Sequence, residues 1–212
     1  VAVKEGGSDP ASNARLRDLI AKAKSLNVPN DNISRIIKRA EGGEKEDYEA
    51  IQYEGYGPGG VAILVETLTD NRNRTAANMR HYFDKYGGNM GQSGSVAFLF
   101  AQKGIIVVEG EGIDEEKLME DCFDAGAEDF DMDDAVFEIT TEPQKVHAVA
   151  AALREKGYNV VSDEAEYVPA STTVLSDEEG QVKMAKLLGM LEEDEDVQDV
   201  WHNLENLEDL DI

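Results

Sequence analysis

Cysteine is almost missing from this 212-residue chain, where Cys122 stands alone. One thiol excludes an internal disulfide and fits a reducing cytoplasm. Long hydrophobic runs are lacking too. The strongest, residues 61–65 and 105–108, are strand-sized, whereas a bilayer span needs roughly 20 apolar residues. Neither a membrane segment nor a secretory or transit segment is expected. Positive charge is the third scarcity: 20 Lys/Arg stand against 45 Asp/Glu, a net of −25. Phosphate contact is driven by Lys/Arg displacing counterions, so the chain as a whole should not attract nucleic acid.

The few cations are unevenly placed. Residues 1–42 carry 8 Lys/Arg and 5 Asp/Glu, a net of +3, and residues 43–103 carry 6 and 8, or −2. Residues 104–168 carry 4 and 19, or −15, and residues 169–212 carry 2 and 13, or −11. Any nucleic-acid face must therefore lie in the first half. The second half is turned away or docked on something basic.

Hydrophobic periodicity divides the chain further. Val1 to Gly7 reads as the tail of a helix stopped by glycine, which suggests that residues upstream are missing. Asp9-Pro10 reads as a helix start, with Leu16, Leu19, Ile20 and Ala23 on one stripe to about Leu26. After Val28-Pro29-Asn30, a second helix carries Ile33, Ile36, Ile37 and Ala40 and stops at Gly42-Gly43. Such a hairpin needs a third partner to close a core. Strands are expected at 50–54 and 61–68, a helix at 75–86, and a strand at 95–100 after a glycine-rich loop. Residues 104–168 follow a β-α-β-β-α-β order, the split β-α-β or ferredoxin-like pattern. A short strand (172–175), a helix (177–191) and a strand (197–203) complete the earlier β-rich unit. The acidic run 192–196 reads as a solvated loop.

Candidate chemistry is sparse. Arg72 and Arg74 sit just ahead of the expected helix, where arginine opposes the helix dipole. Both could share an anion such as phosphate with the helix N–H groups, or pair with Asp70, Glu66 or Asp84. Arg35, Lys38 and Arg39 fall at i, i+3 and i+4, a basic stripe that is otherwise plain solvated surface. Arg15 and Lys22 make a similar pair. The loop Gly87-Gly-Asn-Met-Gly-Gln-Ser-Gly94 could bring backbone N–H groups to a phosphate or ribose, though it lacks a P-loop ending and equally suits a strand connection. Tyr53 and Tyr56 could stack on bases or pack at a sheet edge.

Other frameworks fail on spacing. His81, His147 and His202 have no metal-ligand spacing with one another or with Cys122. Asp129, Asp131 and Asp133 mimic a calcium loop, but Asp134 replaces its glycine and Thr140 its bidentate glutamate. No nucleophile elbow appears, so neither catalysis nor a cofactor nor a small-molecule substrate is expected. The 104–168 unit lacks the basic-glycine-aromatic pattern of an RNA-recognition strand.

Several motifs together resemble the YebC/PmpR family: Tyr53-Glu-Gly-Tyr-Gly-Pro-Gly-Gly60, Thr69-Asp-Asn-Arg-Asn-Arg-Thr75, Gly87-Gly-Asn-Met-Gly91 and Gly94-Ser-Val96. Asp9-Pro-Ala-Ser-Asn13, Asn27-Val-Pro-Asn-Asp-Asn32 and Asp199-Val-Trp-His-Asn203 extend the likeness over nearly the whole chain. The resemblance implies an α+β fold with an N-terminal helical bundle (1–43) lacking its first part. It further implies a discontinuous α+β domain (44–103 and 169–212) with an acidic ferredoxin-like domain (104–168) inserted in it. It implies a cytoplasmic DNA-binding transcriptional regulator. Mitochondrial relatives acting as translational activators, and bacterial members linked to stalled ribosomes, imply the alternative of a translation factor on ribosomal RNA and ribosomal proteins. An acidic protein–protein adaptor is a third reading. The expected nucleic-acid contacts are Arg72, Arg74, Arg80, Arg35, Lys38, Arg39, Asn71 and Asn73, with backbone or stacking contacts from Gly88, Asn89, Gly91 and Tyr56.

Overall fold

The computed structural model of the chain describes residues 1–25, 27–42, 48–133 and 135–210. The expected helix ends at Leu26 and Gly43, and the Asp134 position of the calcium-like stretch, lie outside those residues.

The chain begins with three helices, α1 (Ala2–Gly6), α2 (Ala14–Ser25) and α3 (Asn30–Glu41). Gly7, at φ 82°, ends α1 in a conformation that favours glycine. Asp9-Pro10 does not start α2. Asp9 instead closes a turn, its carboxylate accepting from Ala11 N at 2.9 Å. Asn13 does the capping, because it can serve both helices at once. Its Oδ1 accepts from Leu16 N (3.1 Å), while its Nδ2 donates to Ala2 O (2.8 Å) and Gly7 O (2.7 Å). Leu16 is buried, yet α3 buries no residue and Ile36 is 62 % exposed. The apolar stripes of α2 and α3 thus line an open groove containing Ile20, Ile33 and Ile37.

Next come β1 (Glu49–Tyr56), β2 (Ala62–Thr69), α4 (Arg72–Lys85) and the two-residue β3 (Asn89–Met90). The chain then builds β4 (Phe100–Glu109), α5 (Glu115–Ala125), β5 (Asp129–Asp133), β6 (Val136–Thr141), α6 (Val146–Glu155) and β7 (Val160–Pro169). It ends with α7 (Glu178–Glu192) and β8 (Val197–His202). These strands form two antiparallel sheets, ordered β3-β1-β2-β8 and β5-β6-β4-β7. The second is the strand order of a split β-α-β unit.

The register explains the cores. Val61, just ahead of β2, and the alternate residues Ile63 and Val65 meet Met79 and Phe83 of α4 and Met184, Leu187 and Leu191 of α7. Ala62 and Leu64 point the other way, onto Val96, Phe100 and Trp201. A strand covered on both faces reads as an unbroken apolar run, as 61–65 does. In the second sheet Ile106, Val108, Phe137 and Ile139 pack against Leu118, Cys122, Val149 and Leu153 of α5 and α6. Tyr167 meets Trp201 edge-on at 4.9 Å, joining the two sheets.

Two expected strands are not formed as read. Residues 95–99 make a 3-10 turn (Ala97–Leu99) before β4 begins at Phe100. Their ladder donors are spent elsewhere, since Val96 N and Ala97 N both bond the Glu54 carboxylate. Residues 172–175 are reduced to one parallel bridge, Thr173 with Leu204. Pairing stops there because the Asn206 side chain takes both the N–H and the carbonyl of Leu175.

Candidate nucleic-acid interface

Helix α4 carries four of the expected contact residues, Arg72, Asn73, Arg74 and Arg80, with Asn71 at its cap, and the reason it sits where it does lies in carboxylates far away in sequence. Asn71 caps it, Oδ1 accepting from Arg74 N at 3.1 Å. The Arg74 guanidinium turns inward along the turn, donating to Asp196 at 2.8 and 2.9 Å and to Asp70 at 2.9 Å. Thr75 Oγ1 donates to Asp196 at 2.7 Å, and Asp196 N donates to Asp194 Oδ1 at 3.0 Å. One and two turns on, Asn78 Nδ2 (3.0 Å) and Tyr82 Oη (2.9 Å) donate to Asp194 Oδ2.

The titrations follow from this network. Burial pushes Asp196 up, but the bonds from Thr75 and Arg74 outweigh it and hold the carboxyl below its usual range. Burial, then the bond to Asp194, pushes the Tyr82 hydroxyl up to about 12. The run 192–196 is therefore not merely a solvated loop. Its aspartates 194 and 196 are the struts that hold α4, while Glu192, Glu193 and Glu195 are exposed.

This strutting sorts the arginines. Arg74 is committed to Asp196 and Asp70, and Arg72 bonds Glu49 at 3.1 Å with both side chains exposed. Arg80 is exposed and makes no ion pair among the described residues. It shares one face of α4 with Asn73, Ala77, His81 and Asp84, at i, i+4, i+8 and i+11 from Asn73, all exposed. Lys85 follows, over the Tyr86 ring at 5.0 Å. On α3, Arg35, Lys38 and Arg39 are all exposed, and Arg35 donates to Asn32 at 3.2 Å. The structure packs α3 against α1 and α2 rather than beside α4.

The glycine-rich loop turns out differently from its sequence reading. Its N–H groups face inward. Gly88 N bonds Phe83 O (2.9 Å), Gly91 N bonds Glu54 O (2.7 Å), and Asn89 pairs with Tyr56 in the sheet. The Glu54 carboxylate, 3 % exposed, accepts from Gly94 N, Val96 N and Ala97 N at 2.6, 2.8 and 2.7 Å. Burial raises its pKa, but these backbone donors win and lower it. Gly88 and Gly91 are glycines because a Cβ would strike the Tyr56 carbonyl and the Ser95 side chain, respectively. Tyr56 is half-buried between the sheets and its hydroxyl bonds Ser95 O at 3.3 Å. Phe98, on the turn that Glu54 fixes, is by contrast 72 % exposed.

Elsewhere, Asp129 and Asp131 accept the N–H of Phe130 and Met132 at 2.9 and 2.8 Å. Among the described residues no cluster of His, Cys, Asp or Glu could hold a metal ion. No helix among them is long and apolar enough to cross a membrane.

The fold and this surface define a class: an α+β protein in which a helical hairpin and a strutted cationic helix accompany an acidic ferredoxin-like unit. Residues 1–43 match the TACO1/YebC protein N-terminal domain, and residues 48–204 match the TACO1/YebC second and third domain. The chain belongs to the TACO1/YebC family. It is 55 % identical to a "probable transcriptional regulatory protein" of Clostridioides difficile, covering 97 % of this chain and 87 % of the relative. A protein of the same name from Finegoldia magna is 51 % identical, over 97 % and 86 %. The crystal structure of a conserved hypothetical protein from Aquifex aeolicus superposes with a TM-score of 0.86 at 44 % identity, over 97 % and 85 %.

Proposed function

We propose that this protein is a non-enzymatic regulator of gene expression that binds DNA through the exposed cations of α4 and α3. The observation that carries it is Arg80: an exposed guanidinium with no ion pair among the described residues, on a helix held by Asp194 and Asp196. The names of the relatives point the same way. In this reading Arg80, Arg72, Asn73, Arg35, Lys38 and Arg39 contact phosphates, which position a protein without reading sequence. Asn71 and Arg74 set the angle of α4. Gly88, Asn89 and Gly91 support β1, and this reading asks no contact of them.

A second reading, a ribosome-associated translation factor, is favoured by the charge division alone. A front half near neutral would face ribosomal RNA, and a rear half of −15 and −11 would face basic ribosomal proteins. Duplex DNA and purified ribosomes offered to the same protein at increasing salt separate the two. Retention on ribosomes with no duplex binding near physiological salt overturns the DNA reading. Arg80→Ala should lower the log–log salt slope on duplex DNA by about 0.9, or by roughly 0.7 on single strands. An unchanged slope removes Arg80 from the interface.

A further inference from the structure

A groove of about 900 Å³ separates α2 from α6 and β7, that is, the helical hairpin from the acidic unit. Most of the charges on its walls are satisfied on their own side. Arg15 pairs with Glu5 at 2.5 Å and Asp18 with Arg17 at 3.9 Å, all within the hairpin. Across the groove, Asp163 is taken by Arg154 (2.7 Å) and His147 (3.0 Å) of its own unit. Lys22 differs: it crosses the groove to Glu164 at 2.6 Å.

We propose that Lys22 is an electrostatic latch, closing the helical hairpin onto the two-sheet body by sitting among carboxylates from both sheets. Glu164 supplies the direct contact. Glu66 and Asp199, opposite each other in the β2–β8 ladder, belong to the first sheet, and Glu166 and Glu138 lie on the second. Burial raises the Asp199 carboxyl, and the charges of Lys22 and Glu164 then act on it in opposite senses. The hairpin brings one lysine into a region where like charges otherwise accumulate, and that lysine favours the closed position.

The latch is built to be weak. The Lys22 and Glu164 side chains are 54 % and 43 % exposed, so salt screens them. Acid loosens it as well. Burial, then like-charged neighbours, raises the carboxyls of Glu66 and Glu166, and burial raises that of Asp199. These three take up protons before ordinary carboxylates as pH falls, and of them Asp199 is the one that acts on Lys22. Arg15, Asp18, His147, Arg154 and Asp163 keep their partners on their own walls.

Spin labels on Asp31→Cys of α3 and Ser176→Cys before α7, both exposed, report the gap, because the Cys122 thiol is buried. At pH 7.5 and low salt the full chain should give one narrow distance distribution. Lys22→Glu should shift it to longer, broader distances, Lys22→Arg should leave it in place, and Lys22→Glu with Glu164→Lys should bring it back. Molar salt should shift the wild type toward the Lys22→Glu distribution, and lowering the pH should move it in the same direction. A Lys22→Glu distribution identical to wild type, or a charge swap that restores nothing, overturns the latch. Thermal unfolding unchanged between these variants keeps the reading on domain position rather than on folding.

Discussion

The two sheets share a plan and treat carboxylates in opposite ways. Each has four antiparallel strands with two helices packed on one face. In the first, acids are taken inside as struts: Glu54 and Asp196 are almost fully buried and answered by backbone N–H groups, hydroxyls and a guanidinium. In the second, the principal paired acids stay near the surface under lysine and arginine. Asp121 is held by Lys156 at 2.5 Å, Lys117 at 2.9 Å and Tyr158 at 2.6 Å, and Asp163 by Arg154. A buried acid determines where the chain goes, whereas a surface acid sets what the surface repels. The cationic helix is fixed by the first kind and the acidic unit is coloured by the second.

The contrast can be broken most severely at Glu54. Glu54→Ala leaves three backbone donors without their acceptor and should cost about 3 kcal/mol, a fall in melting temperature on the order of 10 °C. Asp196→Asn should follow at roughly 2 kcal/mol, read by urea unfolding, because it loosens both Arg74 and Thr75. Asp121→Asn, on α5 beside the second sheet, should cost visibly less in the same measurement. Equal losses at Asp196 and Asp121 would erase the distinction between strut and surface acid.

Acid should separate the groups by sign. Glu54, Asp196 and Asp163 have depressed folded-state pKa values. Their stabilisation is full above the ordinary carboxylate range of about 4 and is lost as pH falls through the folded values. Glu166 is raised, so its ionisation opposes folding at neutral pH and that penalty fades as pH falls. Glu166→Gln should therefore stabilise at pH 7 and match wild type near pH 4, whereas Asp196→Asn should be most harmful at pH 7. The smallest effect belongs to Arg72→Ala. Its exposed pair with Glu49 should contribute within about 0.5 kcal/mol, so that any loss of nucleic-acid binding in that variant is not a folding defect.

Much of the architecture was legible because it rests on local periodicity. The alternation in 104–168 and the helical stripes in 177–191 needed no distant partner. What was hidden depends on side chains that reach across the chain. Asp9 looked like a cap until Asn13 proved able to serve two helices. Residues 95–100 looked like a strand because nothing local says that Glu54 takes their donors. The glycines at 88 and 91 looked like a phosphate cradle, a pattern that close packing on β1 produces equally well. At Arg74 the alternative partner Asp70 was readable from spacing, but Asp196, 122 residues on, was not.

The excursion through the acidic unit leaves and returns at neighbouring positions, since Phe100 stands opposite Pro169 where β4 begins and β7 ends. Those two backbones are separated by about one inter-strand spacing, roughly 5 Å. A short turn could join them and excise everything between, at the cost of the Tyr167 contact on Trp201 of β8. The path through the acidic unit is thus bounded by one pair of adjacent backbones, and the helix that bears Arg80 lies outside that excursion.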